Sequence, residues 1–279
     1  NCVDMDLVIF PSTHAQKAVL NTASLTSDTF ESIVIPETYI KECTLPAEEL
    51  PTLPQFNTSF NFLIVGQITG NNQYNDRKNT FFTLKWIIEE FADNPDVGIV
   101  VKTNSARNSL IDRQNTLELF KNIVTTTRKG KYPRIHLLHG NMSNAEIAAL
   151  YRHPQIKALV AISRGEGFGL PILEAAVSKL PIIATNWSGH LDFMKFGKFI
   201  DVQYTLEEIH PSRVDDKIFV KNARWAVPNE KHFKQRIQKF YVSNTVPKQW
   251  AQDLSTTLRD KFSFENICAQ YDAVLERFL

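Results

Sequence analysis

Apolar positions along the chain follow two alternating patterns. Short runs are apolar at nearly every successive position: Phe62-Leu63-Ile64-Val65, Val97 to Val101, Ile135 to Leu138, Ala158 to Ile162 and Pro181 to Ala184. Between the first two runs, Phe81, Leu84, Ile88 and Phe91 recur at the spacing of one helix face. Between the next two, Leu110, Leu117, Phe120 and Val124 do the same. A strand that is apolar at both parities buries both of its faces, and such strands alternating with helices predict a parallel sheet covered on each side. The expected fold class is α/β, a Rossmann-like parallel sheet with helices on both faces.

Both ends depart from this repeat. Asp6 to Phe10 reads as a strand, Pro11-Ser12-Thr13 as a turn with an N-cap and His14 to Leu20 as a helix. Ser32 to Ile35 reads as a second strand, stopped by Pro36. A lone βαβ piece has an apolar face with nothing to cover it, so the chain is expected to open inside a domain. Residues 41–58, with Pro46, Pro51 and Pro54 among polar neighbours, read as a linker. The expected division is 1–58, part of one domain plus linker, and 59–279, a second domain. At the far end Phe264, Ile267, Tyr271, Val274 and Phe278 keep a helical spacing behind a Ser263 cap. That helix needs a surface to lie on.

Composition removes several function classes. A formal net charge of +1 offers no electrostatic case for nucleic acid, and at most peripheral contact with a membrane. The local basic run Arg128, Lys129, Lys131 and Arg134 reads as a solvated helix end with its loop. Cys2, Cys43 and Cys268 are odd in number and far apart, which fits neither a disulfide framework nor a zinc site. With no apolar run long enough to span a bilayer and no charged-then-apolar leader, a reducing, cytoplasmic setting is expected. The sequons at Asn57, Asn141 and Asn186 are then unread. Asp4-Met5-Asp6 has the look of a metal motif but borders a buried strand, so it reads as structural.

Chemistry gathers after the run Ala158 to Ile162. Gly165-Glu166-Gly167-Phe168-Gly169-Leu170-Pro171 leaves a strand and opens a helix. Alternate glycines allow close backbone approach, Pro171 suits a first helical turn, and the free N–H groups with the helix dipole suit a diphosphate. Glu166 faces whatever the turn holds. Glu174 lies one turn into the helix, where a carboxylate can accept from vicinal hydroxyls or merely complement the dipole. Two phosphate motifs fail. Leu170 stands where a dinucleotide fingerprint needs glycine, and neither Gly130-Lys131-Tyr132 nor Gly197-Lys198-Phe199 is a Walker loop. A second loop follows Val65-Gly66-Gln67 and ends in Arg77-Lys78 at a helix start. The dipole disfavours cations there, so a ligand role in neutralising a leaving diphosphate gains weight.

The segments SRGEGFGLPILEA and LPIIATNWSGHLDFM resemble the donor site of retaining GT-B glycosyltransferases of family 4, whose hallmark is two glutamates eight positions apart, here Glu166 and Glu174. The likeness runs from about Phe60 to Leu279, and DLVIFPSTHAQKAVL with SIVIP looks like the closing piece of that family's N-terminal, acceptor-binding domain. It implies that this chain is the C-terminal half of a GT-B fold with a remnant of the other half, the rest of which is a missing partner domain. The resemblance assigns Glu166 to the reacting centre, Lys78 to the donor phosphates and Glu174 to the ribose. The backbone of Gly167, Phe168, Gly169 and Leu170 would line the sugar and diphosphate. Ser188 and Gly189, with Asp192, match the turn after the next strand, and Asn141 and Met142 border the base. The family's arginine after the first strand's glycine is Gln67 here, a departure that leaves two alternatives: Arg77 supplies that charge, or phosphate binding is weaker. The implied reaction moves a sugar from a nucleotide-sugar donor to an acceptor hydroxyl with retention. No cofactor or metal is expected, and the acceptor is a glycan, a lipid or a small molecule.

Lone signals carry less. His136 and His139 point to opposite faces of one strand and read as packed or solvated side chains. His190 and Trp187 sit in the same turn as Gly189, where core or rim packing competes with a ligand contact. Three other readings stay open or nearly so. An epimerase of the same fold would isomerise the donor without an acceptor, and a phosphorylase fits badly for want of a cofactor lysine and length. A non-catalytic nucleotide-sugar-binding module belongs to a different class, and fold alone does not decide against it.

Overall fold

Alternate residues of the first central strand face opposite layers. In β3 (Phe60–Val65), Phe62 and Ile64 join one buried cluster and Leu63 joins another, all at most 8% exposed. The same division holds in β4 (Val97–Thr103), where Ile99 and Val101 face the first cluster and Val100 the second. These are the doubly buried strands that the apolar runs predict. The computed structural model describes residues 4–22, 30–104 and 108–278, so Cys2 lies outside the described residues.

Six parallel strands make the sheet: β3, β4, β5 (Arg134–His139), β6 (Ile156–Ala161), β7 (Ile182–Thr185) and β8 (Ile200–Val202), in the order β5-β4-β3-β6-β7-β8. The chain builds outward from β3 to β5 and then returns to place β6 on the other side of β3. That reversal opens a crevice at the carboxyl ends of β3 and β6, where ligands bind in sheets of this kind. The flanking helices are α2 (Thr80–Glu90), α3 (Leu110–Thr127), α4 (Asn144–Tyr151), α5 (Leu170–Val177), α6 (Leu191–Met194), α7 (Glu230–Val242), α8 (Thr245–Lys261) and α9 (Phe264–Leu275). No helix among the described residues is long and apolar enough to cross a membrane. An antiparallel hairpin absent from the sequence reading, β9 (Tyr204–Glu208) and β10 (Arg224–Pro228), follows the last sheet strand.

The N-terminal piece is β1 (Val8–Phe10), α1 (Thr13–Thr22) and β2 (Ser32–Val34), with the two strands parallel. Ser12 caps α1, its Oγ accepting from the Ala15 N–H at 3.0 Å. Its apolar face is covered by α9: Ile267, Tyr271 and Val274 pack with Leu7, Ile9, Ile33 and Ile35. This is the surface that the C-terminal stripe requires. Ser263 caps that helix by accepting from the Asn266 N–H.

Residues 41–58 connect the two parts but do not hang free. Cys43 is fully buried in the second cluster, and Arg152 at the end of α4 donates to the carbonyls of Cys43 and Leu45. The Gln155 amide brackets the segment's end, accepting from the Phe56 N–H at 2.8 Å and donating to the carbonyls of Phe56 and Thr58. A proline-rich stretch is expected to be a spacer. Here the partners that dock it lie about a hundred residues away, where local composition gives no sign of them.

Candidate functional site

Asp76, fully buried, builds the loop after β3. Its Oδ1 accepts from the Thr69 N–H, the Thr69 hydroxyl and the Lys78 N–H, while Oδ2 accepts from the Thr80 N–H at 2.6 Å. One carboxylate thus ties the loop to the first turn of α2 and offsets two neighbouring cations. Asn79 takes the left-handed conformation (φ 57) and its amide donates to the Ile162 carbonyl beyond β6. The Arg164 N–H donates to the Arg77 carbonyl at 2.8 Å. Arg77 and Lys78 are therefore suspended across the crevice between β3 and β6. Gly66, at φ +150, runs alongside the Lys78 stem.

Both cations close on Glu166. Lys78 Nζ is 2.8 and 3.0 Å from the two carboxylate oxygens, and Arg77 Nη1 lies 3.1 Å from Oε2 while also donating to the Gly165 carbonyl. Burial of Glu166 pushes its titration up, but the Lys78 and Arg77 charges and hydrogen bonds outweigh it and hold the carboxyl below its ordinary range.

The glycine turn is braced from two sides. The Glu166 N–H donates to Ser188 Oγ at 3.0 Å and the Gly189 N–H to the Glu166 carbonyl at 3.0 Å. A Cβ on Gly189 would stand 2.1 Å from the Gly167 oxygen, so only glycine lets the two turns touch. Gly169 enters α5 at φ +105, with Pro171 in the first turn as its sequence position predicts. From the N-terminal piece, the Ser12 hydroxyl donates to the Gly167 carbonyl, the Thr13 N–H to Asp192 at 2.6 Å, and His14 packs edge-on against Trp187.

Other candidate residues spread outward from this centre. The Phe168 ring is buried against Phe193, which leaves its backbone to face the turn, and Leu170 is 36% exposed. Glu174 turns its carboxyl toward α4 and accepts from the Tyr151 hydroxyl at 3.0 Å; burial pushes its pKa up to about 7. Gln67 is exposed beyond β3. Asn141 (exposed) and Met142 (half-buried) follow β5, two strands away from β3. The histidines are packing residues: His136 contacts the Thr58 hydroxyl, His139 pairs with Asp112 at 2.8 Å, and His190 is fully buried with Nε2 at 2.8 Å from the Thr185 carbonyl. Asp4 and Asp6 are exposed, ahead of β1.

Four residues with a part in the site escaped the sequence reading as such. Asp76 and Ser12 organise it, and Lys102, at the carboxyl end of β4, donates to the Gly140 carbonyl with its pKa lowered by burial. Arg164 reaches away from the turn to lie 5.0 Å from the Trp225 ring and 5.8 Å from Phe82, and donates to the Gln73 carbonyl. Its own carbonyl accepts from the Ala226 N–H, and His210 stacks on Tyr74, so the β9–β10 hairpin is pinned over the loop that carries the cations. A lysine at the end of an apolar strand run was visible in the sequence, but its glycine partner 38 residues on was not. Nor were the hairpin contacts.

Comparison with known proteins bears on the fold. Residues 117–211 match the family model described as glycosyl transferases group 1. No curated protein matches the chain. Among solved structures, sucrose-phosphate synthase from Thermosynechococcus elongatus is similar over 99% of this chain and 59% of its own, at 16% identity and TM-score 0.63. Anabaena HepE in complex with UDP and glucose is similar over 98% and 63%, at 14% and 0.63. A trehalose-6-phosphate synthase studied for glycosyl transfer with retention is similar over 99% and 62%, at 12% and 0.67. The chain thus has the Rossmann-like fold of GT-B glycosyltransferases and spans less than two thirds of each of these proteins.

Proposed function

We propose that this chain, which carries a glycosyl transferases group 1 segment on a GT-B fold, supplies the donor site of an enzyme that moves a sugar from a nucleotide-sugar to an acceptor hydroxyl with retention. The observation that carries the reading is the convergence of Arg77, Lys78 and Glu166 at the crevice between β3 and β6. A diphosphate needs concentrated positive charge with little reorganisation, and two cations already suspended there on buried hydrogen bonds provide it in place of a metal. The donor enters over the glycine turn. Its diphosphate takes the Arg77 and Lys78 contacts, and Glu166 is released toward the sugar. Glu174 and the turn after β5 lie on the nucleoside side. Two things support retention: the paired glutamates, and a shared fold with a trehalose-6-phosphate synthase that itself transfers with retention.

Within this reading residues 1–58 belong to the acceptor-side domain and 59–279 to the donor domain. Ser12 and Thr13 then mark where the acceptor side meets the glycine turn. Calorimetric titration with UDP-, GDP- and ADP-sugars tests the proposal: one of the three is expected to bind, and Lys78→Ala to weaken the binding strongly. Binding that survives this substitution unchanged overturns the donor site. Release of an isomerised sugar in the absence of acceptor identifies an epimerase instead.

A further inference from the structure

The opposite edge of the sheet carries a second concentration of charge. A cleft of about 610 Å³ opens at the amino ends of β6 and β7, between the 44–46 turn, the ends of α4 and α5, and the outer face of α8. Six residues of parallel strand at ~3.3 Å each put it about 20 Å from the glycine turn, so it is no part of the donor crevice. Five cations line it, Arg152, Lys157, Lys179, Lys248 and Arg259, with no aspartate or glutamate among the described lining residues. Among the described residues none of the five makes an ion pair.

Packing accounts for only part of this. Arg259 donates to the Val177 carbonyl at the end of α5, and Arg152 to the carbonyls of Cys43 and Leu45, so both arginines finish the chain ends they touch. Among the described residues Lys157 reaches only the Pro154 carbonyl. Like charges nevertheless face one another across the cleft. Burial and then Arg259 depress the titration of Arg152, and burial and then Lys248 depress that of Lys157. In a protein of net charge +1, massing five cations without a counter-charge is locally unfavourable unless an anion completes it. One further buried donor lines the cleft: Ser178 Oγ, 6% exposed, meets nothing better than the soft Cys43 thiol.

We infer that this cleft binds a multiply charged phosphate-bearing ligand, held by Arg152 and Arg259 at its floor and by Lys157, Lys179 and Lys248 at its rim. Planar guanidinium forks match phosphate oxygens in pairs, and lysines add point charge. The volume suits a phosphorylated small molecule rather than a lone phosphate. The same chemistry is presented by an anionic lipid headgroup.

Inorganic pyrophosphate is the probe, titrated calorimetrically into Lys78→Ala, where the donor crevice no longer competes for it, and into that same background carrying Lys157→Gln/Lys248→Gln or, as a charge-matched control, Lys129→Gln/Lys131→Gln. The inference expects binding that survives in Lys78→Ala, weakens at least tenfold in Lys157→Gln/Lys248→Gln and is unmoved in the control. Thermal melting of each variant establishes that it is folded. Sedimentation with vesicles of phosphatidylglycerol and phosphatidylcholine separates the sources. Co-sedimentation lost in the Lys157/Lys248 variant identifies a headgroup, and pyrophosphate binding without sedimentation identifies a soluble ligand. Loss of all binding in Lys78→Ala, or equal weakening in the control, overturns the inference.

Discussion

Lys78 Nζ lies 2.8 Å from Glu166 Oε1, closing a contact between residues 88 positions apart across the point where the sheet reverses direction. The pair joins the two loops on either side of the crevice. It also means that an incoming diphosphate must compete with a carboxylate for the same cation.

That competition is measurable. In an intact enzyme carrying this donor site, Lys78→Ala is expected to lower turnover by roughly 10²–10³-fold, the usual loss for one key electrostatic donor. Glu166→Gln removes the competitor, so nucleoside diphosphate alone should bind about tenfold more tightly while turnover falls. Calorimetry alongside steady-state rates checks both. Weaker nucleotide binding in Glu166→Gln would show that the carboxylate does not compete.

The two glutamates respond to pH with opposite sign. The Glu166 carboxyl is held below its ordinary value of 4.5, so its contribution to stability is present above that value and is lost as pH falls through the lower, folded one. Glu174 is raised to about 7 from 4.5, so stability declines as pH rises between those values, by roughly 3 kcal/mol once the group is fully ionised. Glu174→Gln should therefore be more stable than the wild type at pH 8, with the gap shrinking toward pH 4.5. Urea unfolding at several pH values reads this directly.

Two glycines of the touching turns should behave differently. Gly189→Ala drives a methyl to 2.1 Å from the Gly167 oxygen and is expected to cost about 1–3 kcal/mol while loosening the turn. A methyl at Gly167 meets nothing within 4 Å, so Gly167→Ala should change stability by less than about 0.5 kcal/mol yet weaken donor binding by filling the crevice. Thermal unfolding and donor titration of both variants separate fold from site.

Arg164 tests the hairpin. Arg164→Lys gives up the guanidinium's cation–π contacts with Trp225 and Phe82 and should cost roughly 1–2 kcal/mol. Faster proteolytic cleavage within 209–223, with the sheet still protected, is the expected reading.

Much of this architecture was legible in the residues. Doubly apolar runs mark β3 to β7 because helices cover both faces of the sheet, and the glycine turn with Pro171 marks the entry to α5 because few other residues satisfy that backbone. Three features were not. The hairpin has an exposed outer strand, Thr205 to Glu208, whose polar side chains hide its alternation. The 41–58 segment is ordered by Arg152 and Gln155, which no local composition reveals. Asp76 acts through backbone N–H groups, and an aspartate ahead of Arg-Lys reads simply as another surface charge.

The packing of α9 on the N-terminal strands has a mechanical result. Tyr271 and Val274 support the sheet whose exit, Ser12, grips the Gly167 carbonyl, so the last helix is the far arm of a lever ending at the glycine turn. A substitution that loosens that helix would slacken the turn without approaching any ligand, and the damage would present as lost affinity rather than lost fold.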